Sequence, residues 1–313
     1  MPHVSERPAG LGRIAQDATQ VLYQHRLVST RQLHHLITPH HTCNEYLRRQ
    51  LHALREAGFT EAVGRRQAGK TELLWWLTDR GATAVESDGL LPQRPYRMST
   101  EAALGPLQGH TLATVETGLA FVDWARRLDH ECGPLDWTPE IAHPYRDEAR
   151  PGEDLTLVPD AVLNYVHTDQ KAQERTLLTF FVEVDRTQMT IARLAAKLHA
   201  YAAYQAFVPQ PQVRSRSVTA HRTAPAWRSR YPVFPRLLII LTGASERRLQ
   251  RRISDLRSLA AADPALAATA LRAGVTTLEL LKNEGPFAPI FTPVLGSTPE
   301  PTDAWLQPQT ATA

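Results

Sequence analysis

Four residues in the second half of the chain have the types and spacing to do chemistry: Asp160, Glu183, Asp185 and Lys197. Asp160 follows Pro159 and precedes the apolar run 161–166. Glu183 lies near the end of Leu-Leu-Thr-Phe-Phe-Val-Glu-Val over 177–184, the strongest strand signal in the protein. That run is apolar on both faces, as expected of a central strand covered on both sides, so a carboxylate within it calls for a reason. Period-two alternation puts Glu183 and Asp185 on one side of the strand. An amphipathic helix is predicted next over 190–204, with Ile191, Leu194, Ala195, Leu198 and Ala202 as its apolar face and Tyr201 and Tyr204 beside it. Lys197 stands at the margin of that face, where its stem can run along the core and bring the ammonium to the sheet edge. Oxygen ligands from Asp160 and Glu183 suit magnesium, and Asp185 suits a further ligand or a supporting partner. A metal there would polarise a phosphodiester and help generate hydroxide from water, with Lys197 stabilising charge in the transition state or orienting the water. The plainer alternative is that these acids accept loop hydrogen bonds or pair with arginines such as Arg186 and Arg193.

The elements around this group set its context. A chain of 313 residues points to two domains, at roughly 100–200 residues each. Residues 1–90 are read as a DNA-binding module. Helices are predicted over 11–26, over 29–37 with a Ser29/Gln32 capping box, and over 42–57 with a Thr42/Glu45 box. A β-hairpin over 62–77 turns at Ala68-Gly69, and Thr78 caps a fourth helix. Leu47, Leu51 and Leu54 form the buried stripe of the third helix. Helix, helix, helix, basic hairpin, helix is the order of a winged helix-turn-helix. The expected DNA contacts are Asn44, Arg48, Arg49, His52 and Arg55 on the third helix and Arg65, Arg66 and Lys70 on the wing, since arginine serves both base edges and phosphates. A merely solvated helix face, or a protein-binding winged helix, would show the same pattern.

Residues 91–109, with Pro92, Pro95 and Pro106, read as a linker, and a helix is expected over 110–128. The α/β domain is placed at 110–285, and the Pro/Thr-rich stretch 286–313 is expected to be loose, with Phe291 and Trp305 as docking points. An Ala-rich helix after Ala261 and a strand over 275–281 complete the expected fold.

Charge divides sharply. Between Asp129 and Asp185 there are thirteen acids against four Lys and Arg, a formal −9. Between Arg214 and Arg257 there are eleven Arg against Glu246 and Asp255, a formal +9. The net charge of +3 excludes a wholly basic, histone-like binder. The basic stretch comprises a loop over 209–231, a strand over 236–241 and a Ser245-capped helix with Arg247, Arg248, Arg251, Arg252 and Arg257. It reads either as a phosphate-tracking surface or as internal neutralisation of the acidic stretch. Two distant cysteines, Cys43 and Cys132, give neither a disulfide framework nor a zinc site. With no apolar run near the ~18 residues that span a bilayer and no apolar leader at residues 1–10, the expectation is a cytoplasmic protein without a membrane.

The order Pro159-Asp160 … Glu183-Val184-Asp185 resembles the PD-(D/E)xK nuclease superfamily, with its restriction-endonuclease-like α/β fold. Asp185 stands where that superfamily has Lys, and Lys197 corresponds to a Lys displaced onto the following helix. Val158-Pro159-Asp160-Ala161, Phe181-Val182-Glu183-Val184-Asp185-Arg186-Thr187 and Lys197-Leu198-His199-Ala200-Tyr201, behind a winged-helix half, look like the replication-relaxation family of actinobacterial plasmids and mobile elements. That resemblance implies a part in replication or DNA relaxation. The fold expected is α/β (α+β overall), a winged helix followed by a nuclease-like domain. The partners expected are double-stranded DNA and either a second copy of the chain or a replication protein. The activity expected is magnesium-dependent DNA cleavage or nicking; the alternative is a non-cutting, sequence-specific replication or transcription regulator on a degenerate nuclease-like scaffold.

Overall fold

The structure is a computed structural model that describes residues 12–67, 69–147, 150, 152–209, 224–296 and 300–307. It is a mixed α/β protein whose chain divides into two compact units, Met1–Pro139 and Glu140–Ala313.

The first unit contains α1 (Arg13–His25), β1 (Val28–Ser29), α2 (Thr30–Ile37), α3 (Glu45–Glu56), β2 (Thr60–Gln67), β3 (Lys70–Leu77), α4 (Asp79–Ser87), α5 (Thr100–Leu104), α6 (Gln108–Leu128) and β4 (Trp137–Pro139). The capping box at α2 is complete: Ser29 Oγ accepts from the Gln32 backbone N–H and the Gln32 side chain accepts from Ser29 N–H. The Thr42/Glu45 box does not form. Asn44 occupies the N-cap of α3 without a side-chain cap bond, so the helix starts later than the sequence pattern suggests. Leu47, Leu51 and Leu54 are buried as expected. β2 and β3 form an antiparallel hairpin with Gln67 opposite Lys70, which leaves a two-residue turn. Gly69 sits there at φ +78°, where a side chain would be strained; Ala68 lies outside the described residues. β1 adds to the far side of β3, giving the order β1-β3-β2.

The expected linker 91–109 is partly structured, and the division between units falls at 139/140 instead. α6 belongs with the N-terminal helices for physical reasons. Leu112 packs with Leu27, Leu74 and Trp76, Gln32 Nε2 donates to the Leu112 carbonyl at 2.9 Å, and Arg31 pairs with Glu116. Further on, His25 stacks on Trp137 with centroids 4.1 Å apart, and burial pulls its pKa down to about 3, so it is held neutral.

The second unit contains β5 (His143–Tyr145), β6 (Leu155–Leu157), β7 (Ala161–Asp169), β8 (Glu174–Asp185), α7 (Ile191–Ala206), a 3-10 turn (Ala226–Ser229), β9 (Arg236–Leu241), α8 (Glu246–Ala261), α9 (Pro264–Ala267), β10 (Ala273–Thr277), α10 (Leu278–Glu284) and β11 (Thr292–Pro293). Five of its strands run in the order β11-β10-β9-β8-β7, while β5 and β6 form a separate antiparallel pair. β8 is antiparallel to β7 and parallel to β9, and β9 is parallel to β10. β8 is therefore a central strand, as its apolar run requires. One core joins Val162, Phe181, Leu237, Ile239 and Val275 from the sheet to Leu194, Leu198 and Tyr201 of α7 and Leu249, Ile253 and Leu256 of α8.

Two sequence expectations fail here. Residues 275–281 are not one strand: β10 ends at Thr277, whose hydroxyl accepts from Leu280 N–H and starts α10. The stretch after 285 is not loose over its described residues. Phe291 is fully buried and bridges Thr302 as a short antiparallel pair, and the Trp305 carbonyl accepts from Arg236 Nε at 2.6 Å. Residues 210–223, with Arg214, Arg216 and Arg222 of the expected basic loop, lie outside the described residues. Among the described residues no helix is long and apolar enough to cross a membrane.

Candidate active site at the central strand

Glu183 is only 2% exposed, and both of its carboxylate oxygens are engaged. Lys197 Nζ donates to Oε2, and Tyr201 OH donates to Oε1 at 2.7 Å. Lys197 and Tyr201 are spaced i, i+4, so they stand one above the other on the inner face of α7 and grip one carboxylate from two sides. Thr190 fixes the start of that helix by accepting from Arg193 N–H. Asp160, at the entry to β7, is half-buried, and its Oδ2 accepts from the Val184 backbone N–H at 2.7 Å. The Ala161↔Val182 register sets this approach, bringing the residue before β7 alongside the end of β8.

The electrostatics follow from burial and crowding. Burial, and then the nearby Asp160 carboxylate, push Glu183 up to about 7, against the downward pull of Lys197 and Tyr201. Burial works against the Lys197 ammonium, but Glu183 and Asp160 more than offset it and hold its pKa above the usual lysine value. Burial and the adjacent Glu183 hold the Tyr201 phenol well above its ordinary value, so Tyr201 is a donor at neutral pH. The Lys197 side chain is 30% exposed, which makes it the group that links the buried carboxylate to solvent.

The structure thus brings Asp160, Glu183 and Lys197 together. Asp185 lies near enough to help raise the Lys197 pKa, but its own carboxylate is engaged by a different helix. Asp185 is 3% exposed, and its Oδ2 accepts from Arg252 Nε of α8 at 2.6 Å, while the same guanidinium also donates to the Met189 carbonyl. Asp185 is therefore the ion-pair partner of Arg252 in this arrangement. Among the described residues no group of three or more His, Cys, Asp or Glu is placed to hold a metal. Asp160 and Glu183 are two neighbouring carboxylates, with both Glu183 oxygens already accepting from Lys197 and Tyr201. Such a pair fits magnesium, which keeps several waters and commonly takes one or two protein carboxylates.

Two residues here gain roles that the sequence pattern does not assign. Tyr201 reads as flanking the apolar face of α7, yet it is fully buried; its i, i+4 spacing from the lone Lys of the helix is the available signal. Arg252 is one of five arginines on α8, and nothing in the spacing singles it out.

In the first unit, Arg48, Arg49, His52 and Arg55 are exposed on α3, with Asn44 half-buried at its start. Arg49 lies over the Tyr46 ring at 5.5 Å, Arg55 pairs with Glu61 at 3.4 Å, and His52 meets the edge of buried Trp75 at 5.4 Å. Arg66 and Lys70 are exposed near the hairpin tip and Arg65 is half-buried opposite Glu72.

No curated protein and no solved structure matches the chain. The family model described as replication-relaxation matches residues 20–215, more than half the chain and the whole stretch holding Asp160, Glu183 and Lys197. The chain belongs to the replication-relaxation family.

Proposed function

We propose that this protein binds double-stranded DNA through a winged-helix first unit and acts on plasmid or mobile-element DNA, during replication or relaxation, through a nuclease-like second unit. Family membership suggests the process. The observation that carries the chemistry is the meeting of Asp160, Glu183 and Lys197 at the end of the central strand, from three separate elements. The order α1, α2, α3, β2–β3 hairpin, α4, with β1 as a third strand, supports the winged-helix reading.

Asp160 and Glu183 would hold one magnesium ion. When bound, that ion would polarise a phosphodiester and lower the pKa of a coordinated water. Lys197, partly in solvent, supplies positive charge for a phosphate oxygen as negative charge develops there. Tyr201 holds the Glu183 carboxylate in one orientation. Arg252 pairs with Asp185, the second acid on that side of β8, and so ties α8 to the strand.

A second reading is favoured by one observation. Both Glu183 oxygens are already bonded, as expected of a carboxylate that serves the fold of a non-cutting regulator. Supercoiled plasmid carrying the cognate origin, incubated with full-length protein and magnesium, separates the two. The nuclease reading expects relaxed or linear product that Glu183→Gln and Lys197→Met each remove. No product in any arm, with DNA binding retained, would leave the non-cutting regulator.

A further inference from the structure

The five arginines of α8 divide into two sets. Arg252 and Arg257 turn inward, Arg252 to Asp185 and Arg257 Nε to the Pro293 carbonyl at 3.0 Å. Arg247, Arg248 and Arg251 are exposed, and none of their guanidinium groups has a hydrogen-bond or ion-pair partner among the described residues. Their i, i+1, i+4 spacing puts them together on the first turns of the helix. The acid in that turn, Glu246, accepts from Gln250 rather than pairing with any of them.

The backbone brings a fourth arginine, the half-buried Arg186, against the turn that precedes α8. Thr242 N–H donates to the Asp185 carbonyl at 2.9 Å, so the chain leaving β9 runs against the chain leaving β8. Gly243 follows at φ +80°, and a Cβ there would lie 3.0 Å from the Arg186 carbonyl oxygen. Only glycine suits so close a crossing in that conformation. Arg186 and the opening of α8 therefore share the carboxyl edge of β8 and β9, the edge that Glu183 and Asp185 approach from within the sheet. In open α/β sheets that edge is where ligands bind, and a helix N-terminus there favours anions.

We propose that Arg186, Arg247, Arg248 and Arg251 form a phosphate-tracking surface that holds the DNA backbone across the carboxyl edge of β8 and β9, beside the Asp160–Glu183–Lys197 centre. This rests on the DNA-binding reading above and adds a second point of contact, separate from α3 and the hairpin. Arginine suits the role because its planar fork pairs bidentately with phosphate and stays charged at all working pH. Arg252 contributes by anchoring α8 to β8, which fixes the track relative to the carboxylates.

The test is a salt titration of full-length protein on a short random-sequence DNA duplex, followed by fluorescence anisotropy. Each phosphate neutralised adds about 0.9 to the steepness of log affinity against log salt. The combined Arg247→Ala, Arg248→Ala, Arg251→Ala protein is expected to lose about 2 to 3 from that slope. The triple Arg→Lys protein should retain most of it. A variant with Arg66→Ala and Lys70→Ala on the hairpin should lose slope independently of the α8 variant. A triple alanine protein that keeps the wild-type slope, while the hairpin variant loses it, overturns this surface and leaves the DNA-binding reading standing. Wild-type protein with no salt-dependent binding overturns both.

Discussion

Glu183 and Arg66 are both charged residues on β-strands, and they meet opposite surroundings. Glu183 lies under α7 with an ammonium and a phenol on its two oxygens. Arg66 stands in water near a hairpin tip. A buried charge without a partner is very costly, so its neighbours are fixed by the fold, whereas an exposed charge contributes little to folding and is free to meet a ligand. The same split recurs within α8, where Arg252 is committed to Asp185 while Arg247, Arg248 and Arg251 remain exposed. Glu183 is thus built into the core of its unit, whereas Arg66 and the three outer arginines of α8 are left exposed.

The largest expected effect comes from removing the committed partner. Lys197→Met leaves Glu183 with Tyr201 alone and should cost about 3–5 kcal/mol of unfolding free energy at pH 8, read from urea denaturation. Combining it with Glu183→Gln should recover a large part of that loss, because the stranded charge is then gone. An unchanged midpoint at pH 8 for the single variant would mean that Glu183 is not held as an ion, and the contrast with the exposed arginines would collapse.

The next effect is a pH dependence with a definite sign. Folding raises Glu183 from its ordinary value to about 7, so between about pH 4.5 and 7 the folded chain binds more protons than the unfolded one at this site. Stability from this residue is full below that window and is lost as pH rises through it. Buried His25 and His143, whose pKa values burial pulls down to about 3 and about 4, act in the opposite direction below about pH 6.5, because the unfolded chain protonates them more readily. Comparing Glu183→Gln with wild type cancels the histidines. The variant should gain thermal stability relative to wild type as pH rises from about 5 to 8. Parallel curves would show that Glu183 does not titrate in that range.

A smaller effect is expected from Tyr201→Phe, which keeps the ring in the core and removes one hydrogen bond to a charged acceptor. About 1.5–3 kcal/mol is the scale for such a bond, measured again by urea denaturation at pH 8. A loss as large as that of Lys197→Met would mean that the phenol, not the ammonium, is the main support of the carboxylate.

These residues are legible in sequence to different degrees. Asp160, Glu183 and Lys197 stand out because each is a polar interruption in an apolar pattern, and β8 is legible because its run is apolar on both faces. Tyr201 and Arg252 are not, because their roles depend on helix rotation and strand register. Tyrosine fits a helix margin as well as a core, and the choice of one arginine among five follows only from the parallel pairing of Asp185 with Leu241. The end of the chain misleads for a compositional reason. Its prolines and threonines suggest loose chain, while Phe291 and Leu306 supply enough apolar burial to seat it against β10, where a Cβ on Gly274 would meet both. Residues 275–281 are ambiguous by pattern, since a short apolar run fits a strand or a helix and the Thr277 cap decides between them.

The smallest effect on folding is expected where the effect on binding should be plain. Arg66→Ala with Lys70→Ala changes two exposed residues of the β2–β3 hairpin. Substitutions at such sites usually alter stability by no more than about 0.5 kcal/mol. If the hairpin touches a phosphate track, the slope of log affinity against log salt should fall by nearly 2, about 0.9 for each phosphate no longer neutralised. Folding and binding would then be separated in opposite directions at the two ends of the comparison: Lys197→Met weakens the fold through a charge the core cannot release, and the hairpin variant weakens DNA binding through charges the fold does not use. Loss of stability above about 1 kcal/mol in the hairpin variant, with an unchanged salt slope, would mean that these side chains support the hairpin itself.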